Sequence, residues 1–216
     1  MWKGKHTEQF KELSDVVRYP FDKNKELLSN CLTNLKQNRT RCWTDADIVM
    51  YHAFIMTLYL TGGRISEVLS LKIKDIVVSE DKEWLEIIIP TKKSKKSKDQ
   101  YRVIPIYMKD ENYYFAIKPL FRWYDSIISV IENSADLDEN TLLFPFNRIQ
   151  GYKVCIVCGF NPHFMRKMFL TQKATIYNLN ITKLQKLSGH ASIDNLIPYI
   201  SITTGDLKKD LKIKVK

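Results

Sequence analysis

The chain has 216 residues, 44% of them hydrophobic, and a formal net charge of +10. That is enough apolar material for one sizeable core, yet no uninterrupted apolar run approaches the roughly 18 residues that a membrane-spanning helix needs. The stretch from Met1 to Arg18 alternates charged and apolar residues, unlike a secretory signal, so an intracellular protein without a membrane partner is expected; the basic surplus favours a polyanion, because clustered Lys and Arg gain affinity by displacing counterions from phosphates.

From Met1 to about Gln37 the pattern predicts two short helices separated by Pro20, the second carrying Leu27, Leu28, Cys31, Leu32 and Leu35 at helical spacing. With the basic connector Asn38 to Cys42 they form a small appendage over residues 1–43. Thr44-Asp45-Ala46-Asp47 is a helix start, with a hydroxyl cap and acidic residues in the first turn. Ile48 to Leu60 is almost wholly apolar and predicts a buried helix, ended by positive φ at Gly62 or Gly63. Arg64 opens the next helix, whose apolar face is Ile65, Val68, Leu69 and Leu71. Arg64 and Glu67 lie three apart and share a face, which lets the carboxylate hold the guanidinium at a mouth between helices. In isolation such a pair also fits an ordinary structural ion pair.

Ile73 to Val78, Trp84 to Ile89 and Tyr101 to Tyr107 are rich in β-branched and aromatic residues and predict three antiparallel strands. Lys92, Lys93, Lys95, Lys96 and Lys98 then fall on the hairpin tip between the last two, where they reach a ligand instead of packing. A helix is expected from Lys118-Pro119, with Leu120, Trp123, Ile127, Val130 and Ile131 as its buried stripe. Leu142 to Phe146 reads as a short strand or extended segment, and Gly151 to Phe160 as a connection. Cys155-x-x-Cys158 with His163 lacks the second pair that structural zinc demands, so Cys31, Cys42, Cys155 and Cys158 read as reduced thiols, some of them buried.

Asn161-Pro162-His163 is a capped helix start with proline at the first helical position, and His163 and Arg166 then share a face one turn apart. That pairing makes an anion site, helped by the helix dipole, or a surface histidine beside a solvated arginine. Further on, a helix over Leu184 to Ser188 stops at Gly189, His190 stands in the turn, Ser192 caps the next helix, and Tyr199 follows.

Arg64 in an Arg-Ile-Ser-Glu helix start, a basic hairpin, His163-x-x-Arg166, Leu187-x-Gly189-His190 and Tyr199 occur in this order. The combination resembles the catalytic domain of the tyrosine recombinases, the phage integrase family, over residues 44–203, leaving 204–216 as a basic tail. Pattern and resemblance together imply a mainly α domain with a small antiparallel β-sheet (α+β), its hairpin projecting towards DNA. The resemblance implies a site-specific DNA strand transferase that cleaves and rejoins double-stranded DNA through a 3′-phosphotyrosine link, with no metal or nucleotide cofactor consumed. It implies Tyr199 as nucleophile, Arg64 and Arg166 as clamps on the scissile phosphate, and His190 as a hydrogen-bond donor to it. His163 takes the position tied to proton handling, Lys92 that of the acid for the leaving 5′-oxygen, with Lys93 or Lys95 as alternative registers, and Glu67 that of a brace.

The resemblance further implies a tetramer on two duplexes, with exchange of C-terminal segments for which Ile200 to Lys216 is suited. Lys167 departs from the family, standing where many members carry a second histidine. Pro198 lacks an amide hydrogen and pushes Ile197 from helical geometry, so a kinked, loosely held segment is expected at Tyr199. Residues 1–43 are too few for the family's usual N-terminal DNA-clamping domain, which leaves a minimal enzyme or a fragment. Type IB topoisomerase-like relaxation and non-catalytic DNA binding remain as rival functions at this point.

Overall fold

The computed structural model describes residues 21–40, 42–90, 101–133, 138–190 and 192–197, with side chains from residue 25 onward. The stretch before Pro20 and the tail 204–216 therefore lie outside the described residues. Helices α1 (Phe21–Ser29) and α2 (Cys31–Gln37) lead into α3 (Asp45–Thr61) and a single-turn α4 (Ile65–Val68). Strands β1 (Ile76–Val78), β2 (Trp84–Pro90) and β3 (Tyr101–Tyr107) follow. Four further helices complete the described chain: α5 (Tyr114–Ile131), α6 (Arg148–Val157), α7 (Pro162–Thr175) and α8 (Ile181–Ser188). This is the expected mainly helical architecture with one small sheet.

Helix α3 is the axis of the core. The Thr44 hydroxyl accepts from the Asp47 N–H at 3.1 Å while Asp47 Oδ2 accepts from the Thr44 N–H at 2.7 Å, so two donors that a helix start leaves orphaned are satisfied reciprocally. From Ala53 onward every side chain of the helix is buried, because α2, α5, α6 and α7 pack around it. Its hydroxyls stay satisfied by bonding back one turn, Thr57 to the Ala53 carbonyl at 2.8 Å and Thr61 to the Thr57 carbonyl at 2.6 Å. Large apolar side chains such as Phe54 and Leu58, at 0% exposure, each contribute roughly 1.5–3 kcal/mol through burial.

The sheet has order β1-β2-β3, all antiparallel, with Leu85 opposite Ile106, Ile87 opposite Ile104 and Ile89 opposite Arg102. These pairs face the core. Strict alternation leaves Trp84, Val103 and Tyr107 on the outer face.

Several local expectations are corrected. The helix expected over Leu27 to Leu35 breaks at Asn30 into α1 and α2, and Leu28, Cys31 and Leu35 bury into the common core. The helix after Arg64 is one turn long. Ile73–Asp75 forms a 3-10 turn because the Asp75 carboxylate accepts from the Lys72 N–H at 2.8 Å, so β1 begins only at Ile76. Helix α5 starts four residues before Lys118, out of a turn in which the Tyr113 and Tyr114 N–H groups both donate to the Asp110 carbonyl. Leu120 and Ile127 are buried as expected, but Val130 is 54% exposed, and Ala116 and Ile117 join the buried face.

Leu142 makes only an isolated bridge to Lys72. The stretch read as a connection from Gly151 is α6, capped by Asn147 Oδ1 accepting from the Gln150 N–H at 2.9 Å. Gly151 is what lets α6 approach: a Cβ there would come within 3.2 Å of both Phe54 and Ile65. Ser192 accepts from the Asn195 N–H at 3.4 Å and caps the turn that follows it, and the residues after Ile197 lie outside the described ones. No helix among the described residues is long and apolar enough to cross a membrane.

Gly62 ends α3 at φ +57°, and a Cβ on it would sit 2.4 Å from Phe169 Cδ1 of α7. Gly62→Ala therefore combines left-handed backbone strain with overpacking, and is expected to lose about 2 kcal/mol or more in urea unfolding with an unchanged m-value. A loss below about 0.5 kcal/mol would show that the turn relaxes around a side chain.

Candidate active site

The turn after α3 delivers Arg64 to the start of α4. Glu67, three residues on, folds back over that start: its Oε2 accepts from the Arg64 backbone N–H at 2.9 Å and its Oε1 from Arg64 Nη1 at 2.7 Å. The two side chains are unequally placed, with Arg64 46% exposed and Glu67 3%. The carboxylate is thus a buried anchor, and the guanidinium it holds faces outward, as the three-residue spacing predicts.

A third residue completes the anchor. Arg102 of β3, its side chain 5% exposed, donates from Nη2 to Glu67 Oε2 at 2.8 Å. Burial alone would raise the Glu67 pKa, but the hydrogen bonds and charges of Arg102 and Arg64 outweigh it and hold the carboxyl at about 2. Sequence reasoning missed Arg102, although a signal was present. In Tyr101 to Tyr107 the arginine alternates with Ile104 and Ile106, which marks a charge on the core face of a strand.

Arg166, on the second turn of α7, is 1% exposed. Its Nη1 donates to the Gly62 carbonyl at 2.7 Å and its Nη2 to the Ser188 carbonyl at 2.6 Å. One guanidinium thereby joins the last turns of α3 and α8, where carbonyls carry partial negative charge. Nη2 also lies 3.3 Å from His190 Nε2.

His190 follows directly from the chain reversal at Gly189, which has φ +65°. Its Nδ1 is 2.7 Å from Ser188 Oγ, and its carbonyl accepts from Gln185 Nε2 at 3.2 Å. A guanidinium only donates, so Nε2 accepts from Arg166 and Nδ1 carries the proton, donating to Ser188. Burial first, then the charges of Arg166, Arg64 and Arg102, lower the His190 pKa to about 4, opposed by Glu67. The ring is neutral at pH 7.

Arg64, Glu67, Arg166 and His190 are therefore brought together, with Arg102 beside them. Three guanidinium charges stand against one carboxylate. His163 is placed on the exposed first turn of α7, its backbone N–H donating to Asn161 Oδ1 at 2.9 Å, one turn before Arg166. Lys92, Lys93, Lys95, Lys96 and Lys98 lie outside the described residues, as do Pro198 and Tyr199. The described chain reaches Ile197, with Leu196 wholly buried beside it.

Burial pushes the Cys31 and Cys155 thiols up, away from the thiolate that a metal requires. Among the described residues no group of three His, Cys, Asp or Glu side chains is arranged to hold a metal ion.

The family model for the phage integrase family matches residues 21–205. The chain belongs to the phage integrase family. Within that family it is similar to the tyrosine recombinase XerD of Rickettsia conorii, at 26% identity over 214 residues, covering 91% of this chain and 66% of the relative. Among solved structures, that of the XerH site-specific recombinase bound to palindromic difH substrate, a post-cleavage complex, superimposes with a TM-score of 0.60 at 19% identity. It covers 88% of this chain and 51% of the other. The Tn1549 transposon integrase in complex with transposon right end DNA superimposes at 0.52 with 18% identity, covering 91% of this chain and 66% of the other. The chain thus spans 66% of the XerD relative and about half of the XerH chain, and the structural likenesses place it in the fold of the phage integrase family.

The anchor has a pH signature. A carboxyl whose pKa is depressed on folding, from 4.5 to about 2, contributes stability that is complete above 4.5 and is lost as pH falls towards 2. Glu67→Gln, which leaves the buried Arg102 charge uncompensated, is expected to lose about 3 kcal/mol at pH 7. Urea melts at pH 7, 4 and 3 should show the gap between the variant and wild type narrowing with acid; a gap constant across that range would mean that Glu67 is not held as an anion.

Proposed function

We propose that this chain is the catalytic portion of a site-specific DNA recombinase or integrase that cleaves and rejoins DNA strands through a 3′-phosphotyrosyl intermediate. The observation that carries the reading is the convergence of Arg64, Arg166 and His190 on one cationic site, in a chain of the phage integrase family. Such a site demands an anion with several acceptor oxygens, and a phosphodiester in DNA supplies one. The relatives support the same class, since XerH is a site-specific recombinase and the Tn1549 integrase is found in complex with transposon end DNA.

In this reading the Tyr199 oxygen attacks phosphorus, the bond from phosphorus to the 5′-oxygen breaks, and the phosphate passes to the tyrosine. His163 handles the phenol proton and Lys92 on the hairpin protonates the leaving oxygen. Making free phenolate at pH 7 costs about 4 kcal/mol against a pKa near 10, so the cationic site must offset much of it. Arg64 and Arg166 hold the two non-bridging oxygens, whose charge grows in the transition state.

Burial is the first cause of the lowered His190 pKa, and a bound phosphate opposes only the second, the guanidinium charges of Arg166, Arg64 and Arg102; in this reading His190 is a hydrogen-bond donor to that phosphate. Lys93, Lys95, Lys96 and Lys98 contact the duplex backbone, which positions the protein without reading sequence. The functional assembly is a homotetramer on two duplexes, in an intracellular, DNA-associated setting in the cytoplasm or nucleoid.

Covalent trapping tests the reading. Incubation with nicked duplex fragments of the source DNA, followed by denaturation in detergent, should give protein that migrates with DNA. The band should vanish in Tyr199→Phe and fall by roughly 100-fold or more in rate for Arg64→Lys and Arg166→Lys, which lose the forked donors. Trapping that persists undiminished in Tyr199→Phe would overturn the assignment of the nucleophile.

A further inference from the structure

Glu67 has two oxygens, and the structure divides them unequally. Oε2 is occupied by the Arg64 backbone N–H at 2.9 Å and by Arg102 Nη2 at 2.8 Å, while Oε1 takes a single donor of the Arg64 guanidinium at 2.7 Å. A free carboxylate beside an arginine favours the two-pronged pairing in which both oxygens bind the same guanidinium. Here the Arg64 N–H and Arg102 together fill the two acceptor positions of Oε2 and leave none for a second prong. The result is an Arg64 side chain fastened at one point, with its remaining donors available to an external anion.

The placement of Arg102 extends this. It stands opposite Ile89 near the base of the hairpin that spans the lysines, and its side chain runs under the α8 turn. A Cβ on Gly189 would come within 3.1 Å of its Nη1, so the glycine leaves room for the guanidinium beside His190. Among the described residues its Nε and Nη1 are buried with no hydrogen-bond partner, which leaves Glu67 as the group that fixes it.

We propose that Arg102 is a positioning residue of this site: by occupying Glu67 Oε2 it confines Arg64 to a single-point grip and keeps the rest of that guanidinium turned to the phosphate. The proposal rests on the recombinase reading for its substrate, but its structural half stands independently. Loss of Arg102 reopens one acceptor position on Oε2, Arg64 swings into the two-pronged pairing, and the phosphate loses a clamp although Arg102 never touches it.

The test uses Arg102→Gln, Arg102→Lys, Glu67→Gln and the Arg102→Gln/Glu67→Gln double variant in the full chain, with thermal melts to establish folding. In the free protein the NMR signal of the Arg64 Nε–H group should move in R102Q and stay near its wild-type position in R102K. An Arg64 signal unmoved by R102Q overturns the proposal whether or not the chain cuts DNA. In covalent trapping, R102Q should slow adduct formation by roughly ten-fold or more, with binding to the same fragment nearly unchanged and partial rescue in R102K. Because Arg102 acts through Glu67, the double variant should be no slower than Glu67→Gln alone, whereas effects that multiply overturn that route. Should R102Q fail to fold, R102K and the double variant, which removes the charge pair together, keep both comparisons. Absence of an adduct in the wild-type chain counts against the recombinase reading alone, since the Arg64 signal still decides the role of Arg102.

Discussion

A carboxylate sealed from water must be matched by cations with well-directed donors, or it takes up a proton and lets go of them. Glu67 is such a carboxylate, and the site is arranged around keeping it ionised. It binds the backbone and side chain of Arg64 at the start of α4 and the side chain of Arg102 on β3. Through Arg102 the link reaches the turn that presents His190. One negative charge therefore sets the mutual position of a helix, a strand and a loop, and leaves the surrounding surface strongly positive.

Arg166 performs the matching task on the helical side. It is buried, and the backbone carbonyls of Gly62 and Ser188 at two helix ends accept from its guanidinium. The two arginines are placed differently: Arg64 is half-exposed over a buried carboxylate, and Arg166 is buried against main-chain carbonyls at two helix ends.

Much of this was legible in the order of residues. The capping box at Thr44, the stop at Gly62, the pairing of Arg64 with Glu67, the proline-led start of α7 and the reversal at Gly189 are all local rules, and the structure follows them. The three strands followed from β-branched and aromatic runs. What escaped was settled by tertiary contacts. Helix α6 contains Gly151 and Val154, poor helix formers whose burial overrides propensity. Val130 was assigned to the wrong flank of α5 because a stripe of that width depends on where the neighbouring helix lies. Arg102 went unnoticed because attention to strand residues was given to apolar content, and not to the charge interrupting it. The roles of Tyr199 and the hairpin lysines rest on their order in the chain, and His163 on its position one turn before Arg166.

The contact between Arg166 and the Gly62 carbonyl joins residues 104 apart in the chain, and the one to Ser188 spans 22 more. Long closures of this kind come late, after the intervening elements have formed, because the entropy of the loop opposes them until other contacts hold its ends. During synthesis Arg64, Glu67 and Arg102 all precede Arg166. A half-made chain consequently holds Arg64 without Arg166, so the cationic cluster is assembled only with completion of the fold.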